Sequence, residues 1–359
     1  MHYKKLGNTK IRVSAIGQGT MGVGGFFTRD ATNDASQVEL LKKGIELGLN
    51  LIDTAEAYGG GHTEELVGQA IKGKRKKVFI STKVSPEHLS YEEVIRAAEG
   101  SLQRLGTDYL DLYQIHWPNP VIPLKETLKA MEKLLFDGKV RYVGVSNFTL
   151  PELKKAQMIF RGKIVSNQVE YNLFDRTVEE DLLPYCEKEK ISLIAYSPLD
   201  KGKFANGRER VEVLKQIAQK YGKTVAQIVL RWLISHPAVI PIPKPSSIAN
   251  LEENASAADF TLEKDDIELI NKTCWQPVIS IPVETIKTDK EGLDKFVPRP
   301  EDLAKSIKEG IPLKPVRVKR LAKKIGQYHY ELVEGKVRYW SWFFAYDGKV
   351  PIRALVRED

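Results

Sequence analysis

The sequence predicts an α/β fold: a closed (β/α)8 TIM barrel followed by a small C-terminal α+β domain. Two observations carry this. From residue 14 to about 270, eight short β-rich apolar runs alternate with longer amphipathic stretches, and around Ile281–Val283 that alternation stops. The predicted domains are therefore residues 1–280 and residues 281–359, a division that a chain of 359 residues easily accommodates.

The predicted strands are Ala15–Gly19, Leu49–Asp53, Val78–Lys83, Leu110–His116, Val140–Ser146, Val165–Tyr171, Ser192–Tyr196 and Val239–Pro241. Helix-patterned segments lie between them, including Ala35–Glu46, Thr63–Ile71, Tyr91–Leu105, Leu124–Leu135 and Thr224–Leu233. Ser90 before Tyr91, with Glu93 three residues on, reads as a capping box. An open doubly wound sheet shares this alternation, and the count of eight runs favours the barrel.

Gly17-Gln18-Gly19-Thr20-Met21-Gly22 fits the G-x-G-x-x-G dinucleotide fingerprint after a strand. That fingerprint needs a helix N-terminus immediately behind it to receive a pyrophosphate. Val23-Gly24-Gly25-Phe26-Phe27 follows instead, and helical patterning resumes only near Ala35. The Rossmann reading is rejected. After Pro298-Arg299-Pro300 the expected elements are a helix Glu301–Glu309, strands Pro315–Val318 and Tyr330–Val333, a helix Lys336–Tyr346 and a strand Ile352–Val356.

Hydrophobic residues at 42% and charged residues at 28% describe a soluble globular chain and exclude disordered or fibrous classes. No signal-peptide core or membrane-length apolar run is present, so no membrane partner is expected. Two cysteines, Cys186 and Cys274, are too few for a disulfide framework, which points to a reduced, cytoplasmic protein. Of the net charge of +8, residues 281–359 carry 17 Lys/Arg against 12 Asp/Glu, and the rest of the chain 38 against 35. The basic excess of the tail reads either as a solvated face or as a surface for an anionic partner.

Four titratable residues stand at or just after the ends of consecutive early strands: Asp53, Tyr58, Lys83 and His116. In a barrel these positions converge on the C-terminal rim, where active sites sit. Singly each has a structural explanation, as a loop cap, rim packing or a satisfied polar residue; together they match one chemistry. Reduction of a carbonyl by hydride needs an acid to protonate the forming alkoxide. Tyr58 can be that acid, its ordinary pKa of about 10 lowered by a neighbouring ammonium. Lys83 supplies the ammonium, Asp53 holds it, and a neutral His116 orients the carbonyl oxygen. The pattern calls for no metal.

These blocks carry a resemblance. Asp53-Thr54-Ala55 through Tyr58-Gly59, Ser81-Thr82-Lys83, Gln114-Ile115-His116-Trp117-Pro118, Gly144-Val145-Ser146-Asn147-Phe148, Asn167-Gln168-Val169-Glu170-Tyr171-Asn172 and Ala195-Tyr196-Ser197-Pro198-Leu199 resemble, in order, the aldo-keto reductase superfamily, from Lys4 to about Trp275. The resemblance implies Asp53, Tyr58, Lys83 and His116 as the catalytic tetrad, with Tyr58 as general acid. It implies that Ser146, Asn147 and Gln168 hold a nicotinamide carboxamide and that Tyr196 stacks on the ring. Ser197 and Leu199 would line the pyrophosphate loop, while Gly19, Thr20, Met21 and Asp53 would pass beneath the nicotinamide ribose. The loop Ile240–Ser247 resembles the family's adenosine-phosphate loop, with Lys244 and Ser246 toward a 2′-phosphate and Glu253 and Asn254 toward adenine. Asn250 stands where many NADP(H)-preferring members have Arg, which weakens discrimination against NAD(H). The implied cofactor is NADP(H), with NAD(H) also admissible, and the implied substrate is a small carbonyl compound contacting Met21, Tyr58, His116 and Trp117. Phe26 and Phe27 are further candidates for the pocket wall.

Residues 298–356 resemble a second family, the ParB-like nuclease and sulfiredoxin-like domains, on Leu303–Ile307, Pro315–Val318 and Tyr330–Arg338. The resemblance implies a phosphate site at Glu334, Gly335 and Arg338, although Lys336 and Val337 depart from the family box. Nucleotide or nucleic-acid binding by this segment is the open alternative, making the chain a redox sensor or regulator rather than an enzyme. Trp340, Trp342, Phe343 and Phe344 read as core and interface residues.

Overall fold

The computed structural model describes residues 1–200, 209–274 and 276–357, with residues 209, 210 and 324 described by backbone alone. An antiparallel hairpin, β1 (Tyr3–Lys5) and β2 (Arg12–Ser14), opens the chain. Eight parallel strands follow: β3 (Gln18–Gly19), β4 (Leu51–Asp53), β5 (Phe79–Val84), β6 (Leu110–Ile115), β7 (Val140–Ser146), β8 (Ile164–Glu170), β9 (Ser192–Tyr196) and β10 (Val239–Pro241). They pair in sequence order. The sheet closes on itself where the Gly17 and Gly19 amides donate to the Pro241 and Pro243 carbonyls at 2.9 and 3.0 Å. Gly19 is needed at that seam, because a Cβ there would lie 2.5 Å from the Ile242 carbonyl oxygen. The glycine-rich segment thus closes a barrel and opens no Rossmann unit.

Helices α1 (Asp34–Glu46), α2 (His62–Ile71), α3 (Tyr91–Leu105), α4 (Leu124–Phe136), α5 (Leu150–Ile159), α6 (Leu182–Glu189), α7 (Glu209–Tyr221), α8 (Val225–Ser235), α9 (Ile248–Ser256) and α10 (Lys264–Thr273) complete this unit. Thr149 with Glu152, and Thr224 with Gln227, form capping boxes. Ser90 occupies the N-cap of α3 as predicted, but its side chain makes no cap hydrogen bond. Leu6 and Val13 from the opening hairpin pack with Leu51, Phe79, Leu112, Val165, Ile194 and Ile240 from six barrel strands. The hairpin therefore plugs one end of the barrel, leaving the rim at the C-terminal strand ends for a site.

A second sheet begins at β11 (Ile279–Ile281) and includes β12 (Ile286–Lys287), β13 (Val316–Ile325), β14 (Tyr328–Glu334) and β15 (Ile352–Arg357), in the order β11-β15-β13-β14-β12. Helix α12 (Lys336–Tyr346) packs on it, and α11 (Pro300–Lys308) packs against α12. Trp340 is buried in its core, with Trp342, Phe343 and Phe344 packed alongside, as the sequence implies. Strand β13 continues past the predicted end at Val318, because its ladder with β14 runs on through Lys319 opposite Glu331 and Arg320 opposite Tyr330. An apolar-run criterion ends too early where a strand turns a polar face to solvent. Among the described residues, no helix is long and apolar enough to cross a membrane.

Candidate active site

Asp53 ends β4, Lys83 lies one residue before the end of β5, and His116 follows β6. Tyr58 reaches the same place through a tight turn: Gly59, Gly60 and Gly61 have φ of 57°, 62° and 94°, and the chain enters α2 at once. Side chains are strained in that left-handed region, so three glycines in a row suit this turn. The Lys83 ammonium is fully buried and donates to Asp53 Oδ2 at 2.7 Å, to the Thr54 carbonyl at 2.8 Å and to Tyr58 Oη at 3.3 Å. An ammonium has three protons, and all three are used. Tyr58 therefore accepts from Lys83, and its own hydroxyl proton remains to be donated elsewhere. The Tyr58 and His116 rings meet edge to face, with centroids 5.7 Å apart.

Burial raises the Tyr58 pKa above that of an ordinary phenol, against the smaller lowering effect of Lys83. This corrects the expectation from sequence that the ammonium would bring the phenol down: desolvation outweighs it. The phenol is consequently in its acid form at neutral pH. For Lys83, burial works to lower the pKa, but Asp53 and then Tyr58 outweigh it and the net shift is upward. Burial, and then the Lys83 charge, hold His116 well below its ordinary value, so the imidazole is neutral.

Ser146 ends β7, Asn147 follows it with a φ of 62°, and Gln168 lies in β8. Ser146 Oγ donates to the Gln168 carbonyl at 2.9 Å, and Asn147 Nδ2 donates to the His116 carbonyl at 3.1 Å. Tyr196 Oη donates to Asn147 Oδ1 at 3.0 Å. Ser197 (φ 48°) and Asp200 (φ 39°) are also left-handed, so three of the five such non-glycine residues described lie on this rim. Strained backbone of this kind concentrates at functional sites. Thr20 is buried and donates from both its amide and its hydroxyl to the Asp53 carbonyl, at 3.1 and 2.8 Å. Met21 and Trp117 are exposed at 44% and 46%, and Phe26 and Phe27 at 64% and 68%, leaving a rim of apolar surface available to a ligand. At the far end of the rim, Ser247 caps α9 by accepting the Asn250 amide at 3.1 Å, Ser246 Oγ donates to Asn250 Oδ1 at 2.7 Å, and Lys244 is exposed. Glu253 is half-buried and Asn254 buried in the same helix, while Leu199 packs partly against the core.

Residues 15–274 match the aldo/keto reductase family. The chain belongs to the aldo/keto reductase family. Methylglyoxal reductase YeaE of Escherichia coli (strain K12) is 40% identical over 74% of this chain and 93% of its own length. Glyoxal reductase of Bacillus subtilis (strain 168) is 41% identical over 69% and 86%. Among solved structures, the thermostable aldo-keto reductase Tm1743 with the inhibitor epalrestat is 46% identical with a TM-score of 0.74, covering 76% of this chain and 100% of that one. An aldo/keto reductase from Klebsiella pneumoniae in complex with NADP and acetate is 40% identical with a TM-score of 0.69, covering 75% and 94%.

This aldo-keto reductase also contains polar contacts to which the sequence assigned no role, through Ser81 and Gln114, and a bond from Gln168 that differs from the one expected of it. Asp53 Oδ1 accepts from Ser81 Oγ at 3.0 Å and from Gln168 Nε2 at 2.7 Å, and Gln114 Nε2 donates to Ser81 Oγ at 2.9 Å. The signal for them was present: polar residues inside strands buried along their whole length. A second group could not be found by pattern. Arg317 of the second sheet donates through Nη2 to Glu170 Oε1 at 2.6 Å and to Asp175 Oδ2 at 2.9 Å, with all three side chains buried. Lys314 lies 3.4 Å from each carboxylate. Arg353 pairs with Glu180 at 2.7 Å and Arg357 with Asp200 at 3.0 Å. Part of the tail's basic excess is therefore answered by acidic residues of the barrel's own rim.

Proposed function

We propose that this enzyme reduces small aldehydes and ketones to alcohols with NADP(H), Tyr58 delivering the proton. The observation that carries the reading is the Lys83 ammonium spending its three protons on Asp53, Thr54 and Tyr58, which turns the phenol into a donor. The residues present suit the cofactor. Ser146, Asn147 and Gln168 are side chains of the type that pairs with a carboxamide, here bonded to their neighbours, Tyr196 has a flat face, and the capped start of α9 beside Lys244 suits a phosphate. When bound, the reduced nicotinamide supplies the hydride. His116, neutral, donates a hydrogen bond to the carbonyl oxygen and aligns it with the Tyr58 hydroxyl. Tyr58 protonates the oxygen as negative charge develops there, and Lys83 stabilises the phenolate left behind. Asp53 keeps Lys83 charged and in place, and is itself held by Ser81 and Gln168.

The named activities of the two reductases above favour small α-oxoaldehydes as substrates, and the exposed Met21, Trp117, Phe26 and Phe27 favour carbonyls carrying some apolar surface. A reduced, cytoplasmic setting fits this chemistry. The regulator reading, with a ParB-like C-terminal segment, has less behind it. Arg338 donates to the Lys314 and Pro315 carbonyls, and Lys336 pairs with Asp289, so the corner that would take a phosphate is engaged internally. The test is a panel of methylglyoxal, glyoxal, aromatic aldehydes and ketones assayed with NADPH and NADH by loss of nicotinamide absorbance. Turnover of α-oxoaldehydes with NADPH supports the reading; no turnover of any member overturns it.

A further inference from the structure

The carboxylates gripped by the second sheet are continuous with the proposed cofactor platform. Glu170 is the register partner of Tyr196 in the β8–β9 ladder, and the Tyr171 amide donates to the Tyr196 carbonyl at 3.4 Å. Asp175 closes a turn with Asn172 through two reciprocal backbone bonds of 3.3 Å each. The Asn172 side-chain amide in turn donates to the Ser197 carbonyl at 3.2 Å. Arg317 thus holds both ends of a short structure on which Tyr196 and Ser197 sit. Its other nitrogen, Nη1, binds Glu334 Oε2 at 3.0 Å, tying that structure to the C-terminal unit.

We propose that Arg317 is a positioning residue for cofactor binding: paired with Glu170 and Asp175, it fixes the ends of β8 and β9 and, together with Lys314, balances two negative charges beside the site for an anionic dinucleotide. The proposal rests on the functional reading above. A planar guanidinium is suited to this place because one nitrogen reaches both carboxylates while the other reaches Glu334. Lys314, at 3.4 Å from each carboxylate and a quarter exposed, is a point charge that cannot replace that fork. Without Arg317, two carboxylates under a tenth exposed face each other with incomplete compensation. That arrangement repels the cofactor's phosphates and loosens the β9 end. Because coupling is reciprocal, bound dinucleotide in turn favours the docked C-terminal unit. The matched family region ends at residue 274, so this contribution comes from outside it.

The test uses the full chain and titrates NADPH by quenching of tryptophan fluorescence, with thermal unfolding to establish that each variant is folded. Removing one partner of a buried charge pair is a severe change, so Arg317→Met raises the Kd for NADPH about tenfold or more, and Arg317→Lys, which keeps the charge but loses the fork, about threefold. The triple variant Arg317→Met, Glu170→Gln, Asp175→Asn removes the uncompensated negative charge and returns the Kd to within about threefold of wild type, the loss left by the missing fork. Arg353→Ala, at an exposed pair, leaves the Kd unchanged. At saturating NADPH, kcat moves by less than about twofold in every folded variant, since nothing in the proton-donating group is touched. If Arg317→Met does not fold, the comparison of Arg317→Lys with the triple variant decides. Arg317→Lys binding as tightly as wild type, or a folded triple variant that fails to recover affinity, overturns the proposal. Failure of the wild-type protein to bind NADPH would instead overturn the functional reading, which separates the two.

Discussion

Replacing Lys83 by methionine removes the ammonium that contacts both Asp53 and Tyr58 while nearly preserving side-chain length. The structure sets two separate consequences. Asp53, 2% exposed, keeps its bonds from Ser81 and Gln168 but loses its counter-charge at 2.7 Å. Breaking a buried pair from one side costs about 3–5 kcal/mol of stability. The second consequence is catalytic. A full phenolate charge 3.3 Å from the ammonium is worth roughly 5 kcal/mol at an effective dielectric of 20. A half-developed charge in the transition state retains roughly half of that, so kcat falls by about two orders of magnitude. Urea unfolding measures the first effect and steady-state turnover at saturating NADPH the second. The double variant Asp53→Asn, Lys83→Met separates them: it recovers most of the lost stability, because no uncompensated charge remains, but none of the turnover. Recovery of kcat in the double variant, or a stability loss below about 1 kcal/mol in the single one, would refute this reasoning.

Two further outcomes follow from other groups. Lys244→Ala raises the Kd for NADPH by about one to two orders of magnitude and leaves that for NADH nearly unchanged, because a charge-assisted phosphate contact is worth roughly 1.5–3 kcal/mol; equal losses in parallel titrations would remove Lys244 from the 2′-phosphate. Lys4 donates to the His236 and Val239 carbonyls, and burial, with Arg231 adding to it, lowers its pKa to about 7. Between that value and its ordinary 10.5 the unfolded chain binds the extra proton, so this group makes the protein more stable as pH rises from 7 to 9, by about 2 kcal/mol. Urea unfolding of wild type and Lys4→Met at both pH values checks the sign: the wild type gains on the variant as pH rises, and a constant difference contradicts the account.

The barrel was legible because parallel strands buried on both faces read as apolar runs, and a charged residue ending such a run stands out. Asp53, Lys83 and His116 were visible for that reason, and Tyr58 through the glycine turn beside it. The direction of the Tyr58 shift was not legible: it depends on how far burial outweighs one ammonium, and burial is a property of the closed rim. The Ser81 and Gln114 support was present as polar letters inside apolar strands, but its pairing needed the third dimension. Arg317 and Glu170 are separated by 147 positions, and a regional charge total carries no information about which carboxylate answers which arginine. The short strands β11 and β12 were missed because two or three residues show no period.

The most direct test of the central claim is the Tyr58→Phe variant, assayed for turnover and titrated with NADPH in the same preparation. The substitution removes only the hydroxyl that accepts from Lys83, and the ring that meets His116 remains. In this variant kcat falls by about two to four orders of magnitude, the usual contribution of a positioned acid, and the NADPH Kd stays within about twofold of wild type. A variant that keeps more than about a tenth of the wild-type kcat would contradict this role for Tyr58, because the proton would then have another source.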